Sequence, residues 1–382
     1  MEVEIGRGKK GRRAYGFDDI AIVPSRRTRD AEDVDITWKL GEHTLPLPCL
    51  ASAMDGVVDP RFAVTMGKLG GLAVLNLEGV QTRYENADEQ LDRIASLPNE
   101  TATRSLQEIY KEPIKAELVA KRVKEIKDGG VLAAASLTPQ RVEAYYEVAL
   151  EAGLDVLVIQ GTVVSAEHVS TRVEPLDLRK FIAGCSVPVI VGGVASYATT
   201  LHLMRTGAVG VLVGVGPGHA CTTRGVLGIG VPQITATIDC AAARDEYFRE
   251  SGKYVPIITD GGLRKGGDIC KAFAAGTDAV MIGSPFAQTK EAPGRGYHWG
   301  MSHPHPALPR GTRIKVGTNT TLEKLLFGPT SLTHGTENLV GALRTAMGFC
   351  GAATIQEFHK AEMVIAPSIV TEGKSYQMSQ RV

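Results

Sequence analysis

With 382 residues, 43% of them hydrophobic, the chain is long enough for one large α/β domain or two ordinary ones. Its 42 basic and 42 acidic side chains cancel, so charge makes no case for nucleic acid; the six cysteines lie far apart without a CxxC pair. The start, MEVEIGRGKKGRRAYGFDD, is charged rather than apolar, so the expectation is a reduced, cytoplasmic protein with neither a secretion signal nor a membrane span.

Eight short apolar or β-branched runs follow in order: PCLASAM at 48, GLAVLNL at 71, VLAAASL at 131, DVLVIQG at 155, PVIVGGV at 188, VGVLVGVG at 209, PIITDGG at 256 and AVMIGS at 279. Helix-patterned stretches separate most of them, such as PQRVEAYYEVALEAG from Pro139, SYATTLHLMRTG from Ser196 and KGGDICKAFAAGT from Lys265. Each strand therefore has a crossover, and the expected fold is a closed (β/α)8 TIM barrel in a single domain over 1–382, ahead of an open doubly wound sheet. Residues 78–130, rich in Glu, Gln, Lys and Arg with helical periodicity, read as a short helical insertion after the second strand. Residues 288–329 hold PGRGYHWGMSHPHPALPRGTRIKVG, a Gly- and Pro-rich stretch long enough to form a lid over the barrel mouth. GTENLVGALRTAMGFCGAATIQEFHKA reads as closing helices, and 370–382 as a tail.

In a barrel of this kind the residues just past the strand ends converge. They are Ser52, Met54 and Asp55 from the first strand, Cys221 to Thr223 from the sixth, Asp260 with Gly261 and Gly262 from the seventh, and Gly283 with Ser284 from the eighth. Two glycine-bearing turns at the last two strands offer backbone amides to a phosphate, or are ordinary tight turns. Asp260 suits a ribose hydroxyl or a turn. Cys221 stands in VGVGPGHACTTRGVLGIG, where backbone dipoles, Arg224 and His219 favour a thiolate; the plainer reading is a small buried hydrophobe. Thr223 is placed to relay a proton or to brace the loop. His298, His303 and His305 stand among prolines without helical ligand spacing and read as solvent-facing lid residues rather than a metal site.

These residues resemble the IMP dehydrogenase and GMP reductase family over nearly the whole chain. The family's Gly-Pro-Gly-x-x-Cys-Thr-Thr-Arg loop and its Gly-x-Gly-x-Pro-Gln sequel stand here as GPGHACTTRGVLGIGVPQ, and its Asp-Gly-Gly motif as DGGLRKGGD. YGFDDIAIVPS, ASAMDG, AVMIGSPFA, EAPG, WGMS and GALRTAMGFCGA match as well. The resemblance implies that Cys221 attacks purine C2 of a bound nucleoside monophosphate, with a nicotinamide cofactor beside it for hydride transfer. It places Ser52, Met54, Asp260, Gly262, Gly283, Ser284, Met301 and Ser302 on the nucleotide, and Gln160 and Thr162 on the cofactor. It also sets the main-chain carbonyls of Gly216, Gly218 and Cys221 around a monovalent cation, normally potassium, and implies a homotetramer or octamer.

Between the two reactions, the resemblance favours the reductase. Family dehydrogenases hydrolyse their intermediate with a mobile flap bearing an Arg-Tyr pair, whereas HPHPALP between Ser302 and Arg310 has no such pair and three prolines. Residues 78–130 are too few for the dehydrogenases' paired CBS modules. The expected reaction is therefore GMP to IMP and ammonia with NADPH; the alternatives are an IMP dehydrogenase using NAD and a catalytically silent purine-nucleotide sensor. The chain departs from the family at Arg310, where a glutamate is usual, at Gln160 for aspartate, Gly193 for asparagine, Leu212 for lysine and His219 for serine.

Overall fold

The computed structural model describes residues 2–171, 174–300 and 312–366, with 373, 374 and 377 beyond them. Eight short strands, all parallel, carry the fold: β1 (Cys49–Ala51), β2 (Leu72–Asn76), β3 (Ala134–Leu137), β4 (Val156–Gln160), β5 (Val189–Val194), β6 (Gly210–Val213), β7 (Ile257–Asp260) and β8 (Ala279–Ile282). They form one closed barrel in sequence order, sealed where β8 pairs with β1 through Val280 opposite Cys49. The strands are apolar on both faces because one side fills the barrel and the other meets the helices. All of β2, β3, β5, β6 and β8 is buried.

The helices in chain order are α1 (Pro60–Lys68), α2 (Ala87–Ser96), α3 (Asn99–Ile109), α4 (Ala116–Asp128), α5 (Val142–Glu151), α6 (Leu178–Gly184), α7 (Tyr197–Met204), α8 (Thr223–Leu227), α9 (Gln233–Ser251) and α10 (Gly266–Ala274). Then come α11 (Ser284–Ala287), α12 (Leu322–Phe327), α13 (Leu339–Phe349) and α14 (Ile355–Phe358). Local chemistry sets their starts. Asp59 accepts the Phe62 amide at 2.7 Å and Pro60 opens α1, a cap that stabilises by about 1 kcal/mol.

The stretch 78–130 divides into two parts. Helix α4 packs against α1 and α5 as the ordinary crossover from β2 to β3. Only α2 and α3 stand outside the regular unit, and they own a small second core of Val80, Leu91, Ile94, Leu106, Ile109, Tyr110 and Trp299. At the opposite end, the hairpin Trp38–Leu40/His43–Leu45 closes the barrel floor: Leu40 is fully buried, and a Cβ on Gly210 at the start of β6 would lie 3.2 Å from it. The strand Met363–Ile365 returns to pair antiparallel with Ile20–Ile22. Among the described residues no helix is long and apolar enough to cross a membrane.

Candidate active site at the barrel mouth

A cavity of about 710 Å³ opens at the carboxyl ends of the strands. Around it stand Ser52 and Met54 after β1, Gln160 and Thr162 at the end of β4, Gly216, Gly218, Cys221 and Thr223 after β6, Asp260 and Gly262 at β7, and Gly283 and Ser284 after β8. Residues far apart in sequence thus meet because every strand of a parallel barrel ends at one face. The expected nucleotide residues Met301 and Ser302 lie outside the described residues, as do His303, His305 and Arg310.

Cys221 is exposed at the mouth. Its amide donates to the Gly218 carbonyl at 3.0 Å, which closes a turn, and its thiol donates to Thr223 Oγ1 at 3.2 Å. Thr223, in the first turn of α8, is buried, so its hydroxyl is held in place while the sulfur remains accessible. Arg224 braces the loop: its guanidinium donates to the carbonyls of Val215 (3.4 Å) and Val231 (2.6 Å), tying both ends together. Burial lowers its pKa, and attraction to Cys221 opposes that shift. Gly214 and Gly216 are needed here. A Cβ on Gly214 would come within 2.2 Å of the Asp260 carbonyl, and Gly216 has φ +78° with Arg224 Cγ at 2.6 Å from its missing Cβ.

Asp260 reaches the cavity from β7, and burial raises its carboxyl pKa to about 7. The Gln160 amide opposes that shift by donating to Oδ2 at 3.1 Å across the barrel. Gln160 is therefore bound to a wall of the site. A second glutamine, to which the sequence reading assigns no role, does related work: Gln233 Nε2 donates to the carbonyls of Val213 (2.7 Å) and Asp260 (3.1 Å), joining the ends of β6 and β7. Its only sequence signal is its place at the end of the Gly-x-Gly-x-Pro-Gln run.

His298 corrects the reading of a solvent-facing lid residue. It lies in a two-residue strand, Tyr297–His298, paired with Ile314–Lys315; the alternation of that strand turns the ring inward, where it is 1% exposed. One ring nitrogen shares a hydrogen bond with Ser284 Oγ at 3.0 Å, and His219 stands with its ring centroid 6.1 Å away. Burial, then the nearby His219, lowers the His298 pKa to about 4, so the ring is neutral at neutral pH. Asp55 also departs from expectation. It turns away from the cavity to accept the Val80 amide at 2.9 Å and the Tyr110 hydroxyl.

A domain model described as the IMP dehydrogenase / GMP reductase domain matches residues 14–302. The chain belongs to that family. An IMP dehydrogenase/GMP reductase-like protein from Corynebacterium glutamicum superposes with a TM-score of 0.91 at 42% identity, over 95% of this chain and 97% of that one. An uncharacterized oxidoreductase of Mycolicibacterium smegmatis is 43% identical over 95% of this chain and 99% of its own length. The inosine-5'-monophosphate dehydrogenase of Cryptosporidium parvum is 30% identical over 94% and 92%. The protein is accordingly an oxidoreductase of the IMP dehydrogenase / GMP reductase family on a (β/α)8 barrel, without a CBS domain among the described residues.

Proposed function

We propose that this oxidoreductase is a GMP reductase, converting GMP to IMP and ammonia with NADPH. The observation that carries the reading is an accessible Cys221 thiol paired at 3.2 Å with a buried Thr223 hydroxyl, facing Asp260 and two glycine-bearing turns across one cavity. In this reading Ser52, Met54, Gly262, Gly283, Ser284, Met301 and Ser302 seat the nucleotide, with the phosphate at the turns after β7 and β8 and the ribose hydroxyls donating to Asp260.

The Cys221 sulfur then bonds to purine C2 as the exocyclic amine takes up a proton and leaves as ammonia. NADPH, when bound, would supply a hydride to C2, with the C–S bond breaking to return the Cys221 thiolate. Thr223 exchanges the proton at sulfur through the hydrogen bond it already makes. Thr162 and the β4 end wall the side on which the nicotinamide would lie, while the Gln160 amide, engaged with Asp260, acts on the ribose side. The carbonyls of Gly216, Gly218 and Cys221 are neutral donors on one loop, which fits a weakly held monovalent cation such as potassium better than a divalent ion. Among the described residues there is no cluster of three or more His, Cys, Asp or Glu side chains to hold a metal. A homotetramer agrees with the exposed apolar side chains Val226, Leu227 and Ile229 beside the catalytic loop, which a neighbouring subunit would cover.

The absence of an Arg-Tyr pair between Ser302 and Arg310 supports the reductase over the dehydrogenase. The second reading, an IMP dehydrogenase using NAD, is favoured by relatives that bear that name. Replacement of Cys221 by alanine tests the covalent reading common to both. The expected result is loss of turnover by roughly a thousandfold or more with GMP binding retained by calorimetry. Unchanged turnover would remove the nucleophile from the mechanism, and a wild-type protein that binds nucleotide without turnover would make it a sensor.

A further inference from the structure

No residue of helices α2 and α3 lines the cavity, yet they hold its rim by several separate ties. Arg295 donates to Asp88 (2.9 Å) and Asp92 (2.8 Å) of α2. Arg313 donates to the Leu97 carbonyl (2.7 Å) and Asn99 Oδ1 (2.8 Å) at the α2–α3 junction, and its guanidinium lies 4.5 Å over the Tyr297 ring. The third tie is buried. Trp299, next to the cavity residue Gly300, donates its indole N–H to the Tyr110 hydroxyl at 2.7 Å, and that hydroxyl donates to Asp55.

Asp55 lies on the loop after β1 that also carries Ser52 and Met54, and all three members of the chain are nearly inaccessible: Asp55 2%, Tyr110 6%, Trp299 2%. The next residue, Gly56, packs directly on the rim strand, where a Cβ would lie 2.6 Å from the Tyr297 carbonyl. Tyr110 itself is fixed from its other side, since Arg83 donates to its carbonyl at 3.0 Å. One hydroxyl thus joins three parts of the fold: the loop after β1 that carries Ser52 and Met54, the end of α3, and the rim segment just after the Tyr297–His298 strand.

We propose that Tyr110 is a positioning residue, whose hydroxyl fixes the rim segment 297–300 against the loop after β1, so that α2 and α3 set the affinity of the mouth for its nucleotide. The inference rests on the proposed function only for the identity of that ligand. Burial holds both the Asp55 carboxyl and the Tyr110 hydroxyl above their usual pKa, which keeps the tyrosine proton on the shared bond at neutral pH.

The test compares Tyr110→Phe with Tyr84→Phe. Tyr84 packs on the same small core and donates its hydroxyl to the Ile109 carbonyl at 2.8 Å, so its loss removes one tyrosine hydrogen bond there without touching Asp55 or Trp299. Amide hydrogen exchange without ligand and steady-state kinetics with GMP are measured on both. Tyr110→Phe should speed exchange over 297–300 by about tenfold and raise KM by about tenfold with kcat within about twofold, while Tyr84→Phe leaves both at wild type. Wild-type exchange and KM in Tyr110→Phe would overturn the proposal, and so would equal loosening by both variants. If the wild-type protein accepts neither GMP nor IMP, the proposed function fails while the exchange comparison still decides the role of Tyr110.

Discussion

Burial of the Asp260 carboxyl, which raises its pKa to about 7, makes this side chain titrate in the working range of the enzyme. Ribose hydroxyls donate better to the carboxylate than to the acid, so KM for GMP should fall as pH rises through 7. In Asp260→Asn the profile should flatten, at a KM about tenfold higher. The stability effect has a definite sign. Between the usual carboxylate range and 7 the folded protein binds a proton that the unfolded chain has lost, so the contribution of Asp260 to stability is lost as pH rises through that window. Thermal melts of wild type and Asp260→Asn should agree best at low pH, where both side chains are neutral, and diverge toward high pH as wild type alone loses stability. The places of Cys221, Thr223 and the two glycine turns at the barrel mouth are legible in the sequence because each lies within a single short loop. The contacts of Gln160, Gln233 and His298 are not, because each side chain bonds to a residue that only the folded barrel brings near.

At the scale of elements, the strands and crossovers are legible because buried parallel strands are short continuous apolar runs with helices between them. The boundary of the insertion is not: α2, α3 and α4 share one helical periodicity, and only packing shows that α4 is a barrel helix and the other two are not. The loop after β6 is set by its glycines. Gly214→Ala should lower stability by about 2 kcal/mol, through a Cβ forced onto the Asp260 backbone, and reduce turnover with it. Urea denaturation and initial rates check this; a variant with wild-type stability would show that the loop yields where the structure shows it packed.

The whole molecule separates chemistry from stability by face. All the described candidate residues sit at the carboxyl ends of the strands, whereas the amino ends hold a buried charge network in which Arg244 meets Asp278 at 2.9 Å and Tyr254 donates to Asp278 at 2.5 Å. Asp278 also accepts the Ile257 amide at 2.8 Å, so it fastens the start of β7 to the start of β8. Breaking a buried pair by removing one charge costs about 3–5 kcal/mol. Asp278→Asn should therefore lower the melting temperature strongly while kcat at low temperature stays near wild type; a loss of kcat with intact stability would contradict that division.

The measurement that decides the function is a paired assay of the purified protein in potassium buffer, with GMP and NADPH in one cell and IMP and NAD in the other. Ammonia released in step with NADPH oxidation, and no xanthosine monophosphate from IMP, is the predicted result. NADH and xanthosine monophosphate formed from IMP, with GMP inert, would contradict the reductase and require a water activated without the Arg-Tyr pair.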